Sequence, residues 1–214
     1  GLFPPPLSPE RALGEIDLGF VRYAGKDSFL FGLRTEELLR HVGIYGSSGC
    51  GKSNAIALIL DGLIRARIPF LLCDFKRTFR SLLLEYPQLL VFTAGDESTA
   101  PFRINPLIPP PGTSVEVWIK KVVSALSHAY CQGAGSESLI VAALHEVYTE
   151  QAKHNRWPSF LDVAEHLERT SAKGRKGLWM DSARRACQSL TTGNMRAVFC
   201  PENPIDLTRL LDQN

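Results

Sequence analysis

The chain has 214 residues, 44% hydrophobic and 21% charged, with a formal net charge of +2, values that suit one folded domain or a little more and exclude an intrinsically disordered segment. So small a charge also excludes a globally basic nucleic-acid coat, so that any polyanion must meet a local patch. The cysteines Cys50, Cys73, Cys131, Cys187 and Cys200 form no C-x-x-C pair, which excludes a zinc ribbon or disulfide framework and reads as a reduced, cytoplasmic chain, and no apolar run approaches a membrane span.

In chain order, residues 1–14 (GLFPPPLSPERALG) read as a stiff proline-rich linker arriving from an earlier domain, with no leader signal. Residues 15–33 alternate apolar and polar around Gly25 and predict a β-hairpin. VGIY (42–45), PFLLCD (69–74) and LLVFT (89–93) are short apolar runs that predict buried strands. Between them, Lys52 to Ala66 predicts a helix packed on a sheet, and residues 77–86 a shorter one. Strands alternating with helices imply a parallel sheet covered on both faces, so residues 15–112 are expected to form an α/β core.

The prolines of FRINPLIPPPG (102–112) interrupt regular structure. Residues 113–203 then read as an α-helical insertion. Val115, Trp118, Ile119, Val122 and Leu126 recur at helical spacing, as do Leu139, Ile140, Ala143, Leu144 and Val147. Ser159 with Asp162 forms an S-x-x-D capping box for a third helix. SAKGRKG (171–177) reads as a basic loop, and a fourth helix is expected over Asp181–Leu190. A last short helix over 205–211 lies in a segment, 204–214, expected to start a return to the core.

The chemistry sits in Gly46-Ser47-Ser48-Gly49-Cys50-Gly51-Lys52-Ser53, which satisfies G-x-x-x-x-G-K-[ST] at every specified position, with Asn54 following on the helix. Glycines allow positive φ and a close approach of backbone N–H groups to phosphate oxygens at a helix N-terminus. Lys52 is placed to reach the β/γ-phosphates, and the Ser53 hydroxyl to meet Mg²⁺. ATP and Mg²⁺ are therefore the expected ligands. Alkylation of Cys50 would crowd the phosphates.

The loop does not name the reaction, which depends on acids elsewhere in the chain. Asp74 ends an apolar run at the strand end where open α/β sheets bind ligands, beside Lys76 and Arg77; the alternative is a structural carboxylate paired with one of those cations. Asp96-Glu97 follows a Thr-Ala-Gly break and reads as a loop. His145-Glu146 lacks the second histidine of H-E-x-x-H and reads as ordinary helix surface. The N-K-x-D base-reading motif of GTPases is not matched, because Asn203-Pro204-Ile205-Asp206 lacks the lysine.

His41 at the head of the P-loop strand, Asp74-Phe75-Lys76 after the next strand, and Asn105-Pro106-Leu107 after the third resemble, in that order, the HerA/FtsK superfamily of P-loop ATPases, closest to the HerA central domain. One departure is Arg77-Thr78-Phe79, where relatives usually continue with Gly-Glu-Tyr. The resemblance implies a RecA-like P-loop fold in a hexameric ring that hydrolyses ATP and moves double-stranded DNA, often beside a nuclease or defence effector. It assigns Lys52 a catalytic role, with Asp74 and Lys76 as further candidates near the γ-phosphate or a subunit interface. By the family plan the Walker B acids and arginine finger fall after Asn214, so residues 1–214 alone are expected to be weakly active. Lys173, Arg175 and Lys176 are candidates for DNA phosphates, and Arg184-Arg185 for sensing a neighbour's nucleotide, against plain surface roles. Two other readings stay open: a small-molecule kinase or GTPase-like switch with Asp74 as its Mg²⁺ acid, and a non-hydrolytic ATP-binding regulatory subunit.

Overall fold

A computed structural model describes residues 8–212; the start of the expected linker, residues 1–7, and residues 213–214 lie outside the described residues. The chain divides into two compact units, one ending at Leu89 and the other beginning at Leu90.

The first unit opens on α1 (Pro9–Ala12), where a proline in the first turn costs no hydrogen bond. Ala12 is fully buried, so this end of the expected linker is a packed helical turn. Strands β1 (Ile16–Tyr23) and β2 (Lys26–Leu33) then form the expected antiparallel hairpin, pairing Ile16 with Leu33 and Tyr23 with Lys26. Its two-residue turn places Ala24 (φ 49°) and Gly25 (φ 79°) in the left-handed region, as a turn matched to strand twist requires. A short α2 (Thr35–Leu38) follows, with Glu37 accepting the Arg34 N–H at 2.8 Å.

Helix α3 (Lys52–Arg65) is the helix expected after the glycine loop. It seats Leu60 and Gly62 on the hairpin, where Ile16 is fully buried; a Cβ on Gly62 would lie 2.6 Å from Ile16 Cγ2. The remaining helix of this unit, α4 (Leu82–Glu85), is a single turn inside the longer span expected.

The parallel sheet is where expectation and structure part. The only sheet among the described residues is the antiparallel β1–β2 pair. Segments 42–45 and 69–74 run without ladder hydrogen bonds, and around 89–93 there is a single bridge, Thr93 to Pro101. Apolar runs of this kind report a demand for burial and carry no information about which strand supplies it. Here that demand is unmet: Tyr45, Leu71 and Phe75 are 92%, 82% and 95% exposed.

The second unit holds α5 (Val115–Tyr130), α6 (Ala134–Ala152), α7 (Phe160–Arg169), α8 (Arg175–Ser189), α9 (Gly193–Phe199) and α10 (Leu207–Asp212). Ile119, Ile140, Leu144, Phe160, Leu167 and Met180 meet in one core, each fully or almost fully buried. Burial of such side chains contributes roughly 1.5–3 kcal/mol apiece. The capping box of α7 forms as expected, with Asp162 accepting from the Ser159 N–H at 2.7 Å and its hydroxyl at 2.8 Å. Burial pushes the Cys187 thiol up to about 12.

Two boundaries differ from expectation. Helix α8 begins at Arg175, so half of the basic loop is helical; the break falls at Gly174 (φ 62°), and the buried face of Met180, Ala183 and Cys187 outweighs the helix-weakening Gly177. Helix α9 falls between the expected fourth and last helices; buried Val198 holds it, its carbonyl accepting the Ile104 N–H at 2.8 Å. No helix among the described residues is long and apolar enough to cross a membrane.

Candidate functional site

The loop from Gly46 to Gly51 leads from segment 42–45, which pairs with no strand among the described residues, into α3, so the structure supplies the helix half of the setting the motif requires. Gly49 (φ 79°) and Gly51 (φ 93°) are left-handed, and Gly51 is the N-cap of α3. A Cβ in those conformations is disfavoured by about 1 kcal/mol or more. Gly46 is required for a different reason, since a Cβ there would stand 2.3 Å from Cys50 Sγ. The loop is therefore closed on itself by backbone and by one small side chain.

Lys52 Nζ donates to the carbonyl oxygens of Gly46, at 2.8 Å, and Ser47, and lies 3.8 Å from Cys50 Sγ. These bonds hold the ammonium against the loop that the helix N-terminus faces. No side chain caps α3, so its first N–H groups retain their partial positive charge. Ser53 and Asn54 are exposed at the first turn, as are Ser47, Ser48 and Cys50. Backbone donors, one ammonium and an accessible hydroxyl together suit a phosphate chain with a divalent cation. Among the described residues, then, the donor set fits ATP and Mg²⁺.

Asp74 is engaged differently from either expectation. Its Oδ2 accepts the Phe79 N–H at 2.9 Å and its Oδ1 the Lys76 N–H at 3.3 Å, so it organises its own turn, in which Arg77 adopts φ 57°. The Phe79 N–H, followed by those of Thr78, Lys76 and Arg77, holds the carboxyl below its ordinary range. No ion pair joins it to Lys76 or Arg77 among the described residues, and no hydrogen bond joins Asp74 or Lys76 to the glycine loop. Lys76 and His41 are exposed. Asp96 likewise serves its own loop, accepting the Ser98 N–H at 2.9 Å and the Ser98 hydroxyl at 2.6 Å.

Three arrangements escaped sequence reasoning. Asp61 on α3 pairs with Arg65 at 3.0 Å and accepts the Tyr86 hydroxyl, bracing the P-loop helix from behind. The i,i+4 spacing of Asp61 and Arg65 was a usable signal; Tyr86 carried none. In the second unit, Asn105 of the Asn-Pro-Leu element donates to the Pro158 carbonyl at 2.8 Å and accepts the Leu107 N–H at 3.0 Å. Trp118 Nε1 bonds the Pro106 carbonyl at 2.9 Å and the Tyr148 hydroxyl the Leu107 carbonyl, so the motif staples its loop onto α5 and α6. Arg184 is consumed by the carbonyls of Leu167, at 3.0 Å, and Thr170, at 2.7 Å, and by Asp181, which leaves only Arg185 of that pair exposed.

Residues 16–111 match the family model described as Helicase HerA, central domain. No curated protein and no solved structure matches the chain significantly.

Proposed function

We propose that the chain, whose residues 16–111 match the HerA central-domain family model, is the ATP-binding and hydrolysing motor domain of a cytoplasmic, HerA-type translocase that acts on double-stranded DNA as a hexameric ring. The observation that carries this reading is the glycine loop: two left-handed glycines, an uncapped helix N-terminus and Lys52 held over the Gly46 and Ser47 carbonyls.

In use, Lys52 exchanges those carbonyls for β/γ-phosphate oxygens, and the backbone N–H groups of residues 46–53 wrap the phosphate chain. Ser53 presents its hydroxyl to Mg²⁺, which when bound offsets charge on the transferring phosphate. Asp74 stays ionised and shapes the 74–79 turn, from which Lys76 projects toward the nucleotide or a neighbouring subunit. A RecA-like parallel arrangement of 42–45, 69–74 and 89–93 belongs to this reading. A ring repeats each subunit's local charge around one channel, so a chain of net charge +2 can still hold a polyanion.

The test is DNA-stimulated ATP hydrolysis by the intact protein and its Lys52→Ala variant. Loss of the stimulated rate to background is expected, since the phosphates lose the only cation of the loop; a variant as fast as the parent defeats the assignment.

A further inference from the structure

The start of α8 and the loop residue before its N-cap carry a cluster that the ATPase reading leaves unused. Lys173, Arg175 and Lys176 are exposed and form no ion pair among the described residues. Every acid between positions 160 and 185 is already held: Asp162 by Arg156 at 2.7 Å, Glu165 by Arg169, Glu168 by Gln188 at 2.6 Å, and Asp181 by Arg184 at 3.3 Å. Three exposed cations close in sequence thus stand outside any ion pair among the described residues.

Beside them the Arg175 guanidinium lies over the Trp179 ring, 5.3 Å from its centroid. Gly135 of α6 packs against the fused bond of the same indole, where a Cβ would stand 2.2 Å from Trp179 Cδ2. The indole face is a seat for the guanidinium, an attraction of cation to ring that restricts the Arg175 side chain. With Gly135 and Arg175 both on the ring, its role is to position a cation, and the recognition this edge can supply is charge to phosphate.

We propose that Lys173, Arg175 and Lys176, with Trp179 positioning Arg175, form a sequence-independent contact for the phosphate backbone of double-stranded nucleic acid. This rests on the translocase reading for its ligand, and on the unbalanced cations for its place. Each phosphate neutralised steepens the salt dependence of binding by about 0.9 in the log–log slope.

The experiment measures binding of the full chain to a random-sequence duplex across a salt series, for the parent, for Lys173→Ala/Arg175→Ala/Lys176→Ala, and for the charge reversal Lys173→Glu/Lys176→Glu, which retains the Arg175–Trp179 stack. The triple variant is expected to bind more weakly with a slope shallower by about two to three, roughly one per cation removed, and the reversal to lose binding as well. Thermal melting alongside the parent checks the fold. Parent binding with both variants unaltered overturns this inference and leaves the motor reading intact. A parent that hydrolyses ATP but binds no duplex overturns both. Vesicles of anionic phospholipid bound by the parent and lost in the variants, with duplex binding unchanged, overturn the choice of nucleic acid.

Discussion

The two units bury their apolar residues to very different degrees. Beyond Leu89 the helices enclose a core in which Phe160, Ile140, Leu144 and Met180 are shielded almost completely. Before it, burial centres on Ala12, Ile16 and Leu60, while Leu39, Tyr45, Leu71, Phe75 and Leu84 each stand more than four-fifths exposed. The lesson is that the helical unit carries its own stability, whereas the phosphate-binding unit spends its apolar side chains on segments that no neighbour in this structure covers. A binding loop on such a unit depends on a few braces, chiefly Gly62 on Ile16 and Asp61 with Arg65 and Tyr86.

The comparison breaks most readily at Phe160. Phe160→Ala should cost about 3–5 kcal/mol in urea unfolding of the helical unit, while Leu71→Ala, in a side chain 82% exposed, should stay within about 0.5 kcal/mol. A large loss at Leu71 would mean that this surface is covered in solution. Next comes Gly62→Ala, which drives a methyl into Ile16, at 2.6 Å from Cγ2 and 3.1 Å from Cβ. Overpacking against a β-branched residue costs about 1–3 kcal/mol, partly offset by alanine's helix propensity, and melting of the intact chain should detect it together with weakened nucleotide affinity. Asn105→Ala removes two hydrogen bonds of the 105–107 staple, at 2.8 and 3.0 Å, with an expected loss of about 1–2 kcal/mol. It should lower the stability of the helical unit and leave ATP binding in place; the reverse pattern would assign Asn105 to the nucleotide site.

The smallest effect is acid-dependent. Asp74 is held below its ordinary value of 3.8 mainly by the Phe79 N–H, so its contribution to stability is present above 3.8 and fades as the pH falls through its lowered value in the folded chain. The advantage of the parent over Asp74→Asn in urea midpoint should accordingly be level at neutral pH and shrink in acid. A difference unchanged down to full protonation would separate the turn from the carboxylate charge.

The hairpin, the P-loop, α3, the capping box of α7 and the long helices α5 and α6 were legible because each is written in local terms: period, turn chemistry and cap within a few residues of one another. The short apolar runs at 42–45, 69–74 and 89–93 also suggested strands, but among the described residues they form no ladder, since a ladder needs a second chain segment at a chosen register. Position along the chain suggested ligand roles for Asp74 and Arg184; it could not show that both side chains also bond backbone groups.

What the sequence determined unaided is the glycine loop at the start of α3, because its glycines, Lys52 and Ser53 lie within eight consecutive positions and its left-handed turns follow from backbone sterics. Only the tertiary structure decided that Asn105 is a staple, that Arg184 is spent on carbonyls, and that Lys173, Arg175 and Lys176 enter no ion pair among the described residues. Each of those outcomes depends on which distant donor or acceptor arrives within about 3 Å, a distance that hydrogen bonding demands and sequence spacing does not encode.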